Sequence, residues 1–315
     1  MSDYIGSGPY CYANSLAMVL GPGAPSPAVI ETLTGSPFGA EMIGGTLPFF
    51  DPYGWDPETG LDDAIALLGR TCERTTGGTS DEALARLRDA CARGPVLAGP
   101  LDMGLLLYHP GTPWGPMPGG SDHYVVVVEA DGDTLVLHDP HGHPYATLPA
   151  ADFVAAWRGD TVIYCDESYV MRAGFTVERE VAPRDALRAA LPGAVAWLGG
   201  RTDRDVPPGT LGGAEAVEEL ARQLLEDRLA PGIHDMLAHF AVRVGVRRLA
   251  DASTCLAELG LAAPADVLSG QARLLGAFQH PLVRGDAKSA AAVLHDLAPT
   301  YDQLRRTLPP KGTDH

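Results

Sequence analysis

The chain has 315 residues, 45% of them hydrophobic, with 23 basic against 40 acidic side chains and a formal net charge of −17. That length suits one large domain or two ordinary ones, and that apolar fraction excludes wholesale disorder. The acidic excess excludes a nucleic-acid groove or an anionic-membrane surface, which meet phosphates with Lys and Arg; it suits a cationic partner such as an amine.

The first half alternates helix and strand signals. A helix is predicted from Cys11 to Leu20, stopped by Gly21-Pro22-Gly23. A second follows Ser26 as N-cap and Pro27 at its first position, with Gly35 beyond its end. Residues 36–60, rich in Gly, Pro and aromatics, read as a long irregular loop. Leu61–Leu68 and Ala83–Ala92 read as helices, the latter capped by Ser80 and ended by Gly94. PVLAGPL (95–101) reads as a strand, and HPGTPWGPMPGGSD (109–122) as a second Gly/Pro loop. HYVVVVEADGDTLVLHDP then predicts a hairpin turning at Asp131-Gly132-Asp133, its valine run buried on both faces. A helix at Ala151–Trp157 and a strand at Thr161–Cys165 follow.

From about residue 213 the pattern is helical. Val217, Leu220, Ala221, Leu224 and Leu225 form one apolar stripe. Ile233–Leu249, Pro264–Gln279 and Lys288–Arg306 read as further helices. GGRTDRDVPPGTLGG (199–213) marks a boundary. The expected domains are 1–170, a connecting segment 171–212, and a helical domain 213–315 that suits either a dimer interface or a roof over the active site.

The cysteines are Cys11, Cys72, Cys91, Cys165 and Cys255. Their odd number and the lack of a C-x-x-C pair argue against a disulfide framework and a zinc site. Cys91 and Cys165 lie in apolar patterns and are expected in the core. MSDYIGSGPY has no apolar run, and no segment reaches about eighteen apolar residues. A cytoplasmic location, with reduced thiols, is the expectation.

Cys11 stands where a helix begins, and a helix N-terminus favours thiolate over thiol. A nucleophilic thiol needs a base, and the base an orienting group. His123 opens the valine strand and Asp139 closes its hairpin partner, so the two should lie side by side at one end of the sheet. The alternatives are a buried structural thiol for Cys11, a strand-end histidine for His123 and a turn residue for Asp139. HDPHGHP holds His138, Asp139, His141 and His143, types that bind zinc, but such tight spacing reads as a solvated loop. No metal and no cofactor are expected.

Helix-borne Cys, strand-borne His and Asp on the next strand resemble the papain-like cysteine peptidases. The N-terminal Cys helix, GSPFG (35–39) and the stretch from DHYVVVV through ADFVAAW are, more closely, similar to the butirosin biosynthesis protein H family. The resemblance covers about residues 5–165. It implies an α+β fold, a papain-like, C39-peptidase-like domain with an antiparallel sheet followed by a mostly helical domain. It implies Cys11, His123 and Asp139 as a catalytic triad. The implied activity is acyl transfer from an acyl-carrier-protein or pantetheine thioester to a small-molecule nucleophile such as an amine. The same triad also suits a cyclase, a thioesterase, a peptidase or an inactive carrier-binding module. Papain-like enzymes place an oxyanion-hole Gln six residues before the Cys; here that residue is Ile5. Tyr4, Tyr10, Tyr12 and Asn14 are candidate replacements, Asn14 sharing the helix face of Cys11. His109 and Trp114 are candidates to line the substrate pocket.

Overall fold

The computed structural model describes residues 10–109 and 120–309. In chain order the elements begin with α1 (Cys11–Leu20), α2 (Pro27–Leu33), β1 (Glu41–Ile43), β2 (Leu47–Phe49), α3 (Pro57–Leu67) and β3 (Arg70–Thr75). Next come α4 (Ser80–Cys91), β4 (Val96–Asp102), β5 (Asp122–Glu129), β6 (Thr134–Asp139), β7 (His143–Pro149) and α5 (Ala150–Trp157). Then follow β8 (Met171–Val177), α6 (Pro183–Leu198), β9 (Leu211–Gly212), α7 (Gly213–Leu225) and α8 (Ile233–Met236). The chain continues through a π-helical turn (Leu237–Ala241) into α9 (Val242–Glu258), α10 (Ala262–Arg284), α11 (Ala287–Leu297) and α12 (Pro299–Thr307). The protein is thus α+β, with antiparallel strand pairing throughout the described residues. Among those residues, no helix is long and apolar enough to cross a membrane.

The elements form two compact units, and the chain crosses between them more than once. The first holds residues 1–27 and 69–180, the second 28–68 and 181–315. Residues 28–68, expected within a continuous 1–170 domain, therefore pack with the helical part.

In the first unit the sheet order is β3-β8-β4-β5-β6-β7. The valine strand β5 is flanked by β4 and β6, so its backbone groups are paired on both edges. Val125 and Val127 face a core with Leu87, Phe153 and Trp157. Tyr124, on the opposite face by strand alternation, meets Tyr12 of α1 edge-on at 6.0 Å. Both faces of β5 are covered, as an unbroken apolar run predicts. The connecting segment expected at 171–212 instead supplies β8, between β3 and β4, and the helix α6. The strand expected at Thr161–Cys165 is a turn, tied down by Thr161, whose hydroxyl donates to Asp102. The α4 cap is Thr79 and not Ser80: the Thr79 hydroxyl accepts from the Glu82 N–H while the Glu82 carboxylate accepts from the Thr79 N–H.

In the second unit the supposed loop 36–60 holds β1 and β2, joined by the distant β9 in the order β2-β1-β9. It also holds the start of α3, which begins at Pro57 because Asp56 accepts from the Thr59 N–H at 2.7 Å. Leu225, expected in the apolar stripe of α7, is 50% exposed, whereas Gln223 is buried and donates to the Gly45 carbonyl at 2.8 Å. The segment expected at Ile233–Leu249 is broken by the π-helical turn and runs on to Glu258, and Lys288–Arg306 is divided at Pro299. Glycine is required at Gly35 (φ +84), where a Cβ would stand 2.6 Å from Trp197 Nε1.

Candidate functional site

All three residues of the expected triad meet in the first unit. Cys11 is the first residue of α1 and is partly exposed. The residue before it, Tyr10, is buried and left-handed (φ 91, ψ 46), a costly conformation for a bulky side chain. The Tyr10 side chain makes no capping hydrogen bond to the helix.

His123 sits near the start of β5, opposite Leu101 of β4. The hairpin register pairs Val126 with His138, which offsets His123 from Asp139 by two positions along the strands. The side chains bridge that offset: His123 Nε2 lies 2.8 Å from Asp139 Oδ1. The His123 side chain also hydrogen-bonds that of Cys11. The His123 and Asp139 side chains are 2% and 0% exposed.

Asp139 is held from several sides. Besides His123, it accepts from the Tyr108 hydroxyl at 2.8 Å and the His141 N–H at 2.7 Å, and His109 Nε2 lies 2.6 Å from Oδ2. The His141 contact closes the tight turn between β6 and β7, with Gly142 at φ 98. The turn thus fixes the carboxylate that faces His123. Burial alone would raise the Asp139 carboxyl; the charge of His123 and hydrogen bonds from His109 and His123 override it and hold it far below the usual carboxylate range. Burial alone would lower His123, yet Asp139 holds the imidazole well above its ordinary 6.5. Burial pushes the Cys11 thiol above its ordinary 9.0, opposed by His123 and reinforced by the charge of Asp122.

The other candidates separate. His109 is at the site, on Asp139, with its ring centroid 5.8 Å from that of His123. Tyr10, Tyr12 and Asn14 are buried on or beside α1. Tyr12 packs on Tyr124, and the Asn14 Nδ2 has no hydrogen-bond partner among the described residues. Tyr4, Ile5 and Trp114 lie outside the described residues. Cys91 packs half-buried against the sheet core, whereas Cys165 lies half-buried in the turn after α5, its thiol donating to the Glu167 carbonyl at 3.0 Å. Cys165 is therefore no core residue.

HDPHGHP is not a solvated loop throughout. His138 and Asp139 are buried because β6 carries them into the sheet, and His138 turns to Tyr145, ring centroids 4.5 Å apart. His141 and His143 stay near the site, 5.3 Å from the His123 ring and 4.7 Å from the His109 ring. One ligand atom from each of His109, His123 and Asp139 lies within 4.8 Å of the others.

Sequence reasoning missed Tyr108, Asp122 and Tyr164. The Tyr164 hydroxyl donates to Asp122 at 2.7 Å, next to the His123 strand. The available signal was adjacency: Tyr108 and Asp122 each neighbour a histidine already singled out. Tyr164 had no such signal.

Residues 207–309 match a family model described as YobF C-terminal domain, and these residues lie within the second unit. Over 167 residues the chain is 36% identical to a Bacillus subtilis (strain 168) protein named "Uncharacterized protein YobF". That similarity covers 52% of this chain and 53% of the relative, so the chain spans about half the length of the curated relative it matches.

Proposed function

We propose that the first unit is a papain-like cysteine acyltransferase that passes an acyl group from a carrier-protein or pantetheine thioester to an amine or similar nucleophile. The observation that carries this reading is His123, its Nε2 on Asp139 and its side chain hydrogen-bonded to Cys11. Asp139 makes His123 the stronger base, able to take the thiol proton as the sulfur attacks, so the thiol need not ionise beforehand. The Cys11 sulfur then attacks the thioester carbonyl, forming the enzyme S–C bond and breaking the donor C–S bond. The imidazolium returns its proton to the departing thiolate. In the second half His123 takes a proton from the acceptor nucleophile as it attacks, and the Cys11 thiolate leaves. Backbone N–H groups at the start of α1 are suited to stabilise the oxyanion. A formal net charge of −17 favours a cationic acceptor.

The test is intact-protein mass spectrometry after mixing the chain with short acyl-pantetheine thioesters, beside Cys11→Ala. The expected result is a mass gain equal to the acyl group, absent from the variant and discharged faster by added amine than by water. Equal loading of Cys11→Ala would overturn the mechanism. Discharge by water alone would make the protein a thioesterase.

A further inference from the structure

We propose that His109, His123 and Asp139 also form a binding site for a divalent transition-metal ion, zinc by preference, and that the ion and the triad's proton compete for this place. Two imidazole nitrogens converge on one carboxylate, 2.6 and 2.8 Å from its two oxygens. Each donor atom lies within 4.8 Å of the other two. A tetrahedral zinc ion with bonds of about 2.0–2.1 Å needs its ligands about 3.3 Å apart. With one Asp139 oxygen as ligand, its own short histidine contact opens by under about 1 Å, and the other two donor distances, each within 4.8 Å, close to reach that spacing. Two imidazoles with one carboxylate suit zinc, cobalt or ferrous iron rather than calcium or magnesium, which take all-oxygen sets.

The site is built rather than accidental. The side chains of His109, His123 and Asp139 are 7%, 2% and 0% exposed. Tyr108 donates to the same oxygen of Asp139 that faces His109, and the His141 N–H donates to the other, so the carboxylate is fixed from outside the ligand set. The three residues come from different places, the segment after β4, strand β5 and the end of β6, so a bound ion would clip them together.

The site bears on catalysis through one atom. A metal on His123 Nε2 replaces the proton that this nitrogen shares with Asp139, and the ring then no longer cycles between imidazole and imidazolium. Metal binding would therefore shut down acyl loading reversibly, a consequence that rests on the proposed triad. The binding itself does not rest on it, since Cys11 is not a ligand.

The experiment titrates the full chain with Co²⁺ and Zn²⁺. Visible Co²⁺ absorption should report one ion per chain in a low-coordinate site, with the same spectrum in Cys11→Ala. His109→Ala should weaken binding on the order of tenfold or more. X-ray absorption at the zinc edge of the unaltered chain should show nitrogen and oxygen neighbours and no sulfur, which keeps the test independent of whether a variant folds. Zinc should abolish acyl loading of Cys11 and a chelator restore it. Sulfur in the zinc shell, or unchanged affinity in His109→Ala, would overturn the site. Tight binding with undiminished acyl loading would overturn the competition and leave the site standing. Metal binding without any acyl loading in metal-free protein would count against the transferase reading alone.

Discussion

Each unit buries a carboxylate with charged partners, and the two arrangements differ in what those partners do with protons. In the first, Asp139 is held by His123 and His109 beside a thiol. In the second, Arg248, 6% exposed, donates to Glu31 at 2.8 Å and Asp51 at 2.9 Å, lies over Trp55, and Ser36 supports Glu31. Glu41, also buried, accepts from the Gly54 N–H at 2.9 Å and is pushed up to about 10, by burial first and then by the charge of Asp51. A guanidinium stays charged throughout the physiological range, whereas an imidazole exchanges protons within it. Burial of charge is common to both places; of the two, only the first sets a proton-exchanging group beside a thiol. The lesson is that the chemistry of the partner, more than the burial of the charge, separates a reactive centre from a structural ion pair.

That contrast can be broken by substitution. His123→Ala should slow acyl loading of Cys11 by about 10²–10⁴-fold, the usual worth of a general base, read from the mass-gain time course. A loss of less than tenfold would demote His123 to a structural histidine. Arg248→Ala strands two buried carboxylates and should cost about 3–5 kcal/mol, measured as a fall in the urea midpoint. Should the midpoint stay put, the ion cluster is not what holds that region together.

Two pH experiments sharpen the contrast further. Burial raises the Cys11 thiol above 9.0, so the rate of iodoacetamide alkylation at Cys11, mapped by peptide mass spectrometry, should climb on a limb more alkaline than that of a free thiol. A limb on the acid side would show that His123 outweighs burial. Glu41 is the gentlest test. Its folded-state pKa lies far above the ordinary 4.5, so the folded chain holds a proton that the unfolded chain has lost between about pH 4.5 and 10. Its contribution to stability is full below that window and lost progressively as pH rises through it. Glu41→Gln removes this slope. It should raise the urea midpoint at pH 8 and do so less at pH 5; equal gains at both pH values would mean that Glu41 is ionised in the fold.

Much of the first unit was legible in the sequence because its signals are local. The valine run, the Asp131-Gly132-Asp133 turn and the return to Asp139 define a hairpin within eighteen residues, and a hairpin sets its own register closely enough to bring His123 to Asp139. The start of α1 at Cys11 was legible too, since Gly8-Pro9 precedes it and Gly21-Pro22-Gly23 ends it. His109 was singled out as a candidate pocket residue without its partner. Its sequence carries no period, and a separation of 30 positions from Asp139 fixes no geometry by itself.

What the sequence by itself determined is therefore the mix of helices and strands in the first half and helices in the second, the Cys11 helix and the His123–Asp139 hairpin, because periodicity, caps and turns act over a few residues. Tertiary structure alone decided that β8 enters the sheet between β3 and β4, that residues 28–68 join the second unit, and that Arg248 meets Glu31 across 217 residues of chain. It also decided that two imidazoles share one carboxylate. Such meetings depend on which distant surfaces can bury their apolar faces and satisfy their polar groups together, and no local pattern in either segment records the identity of its partner.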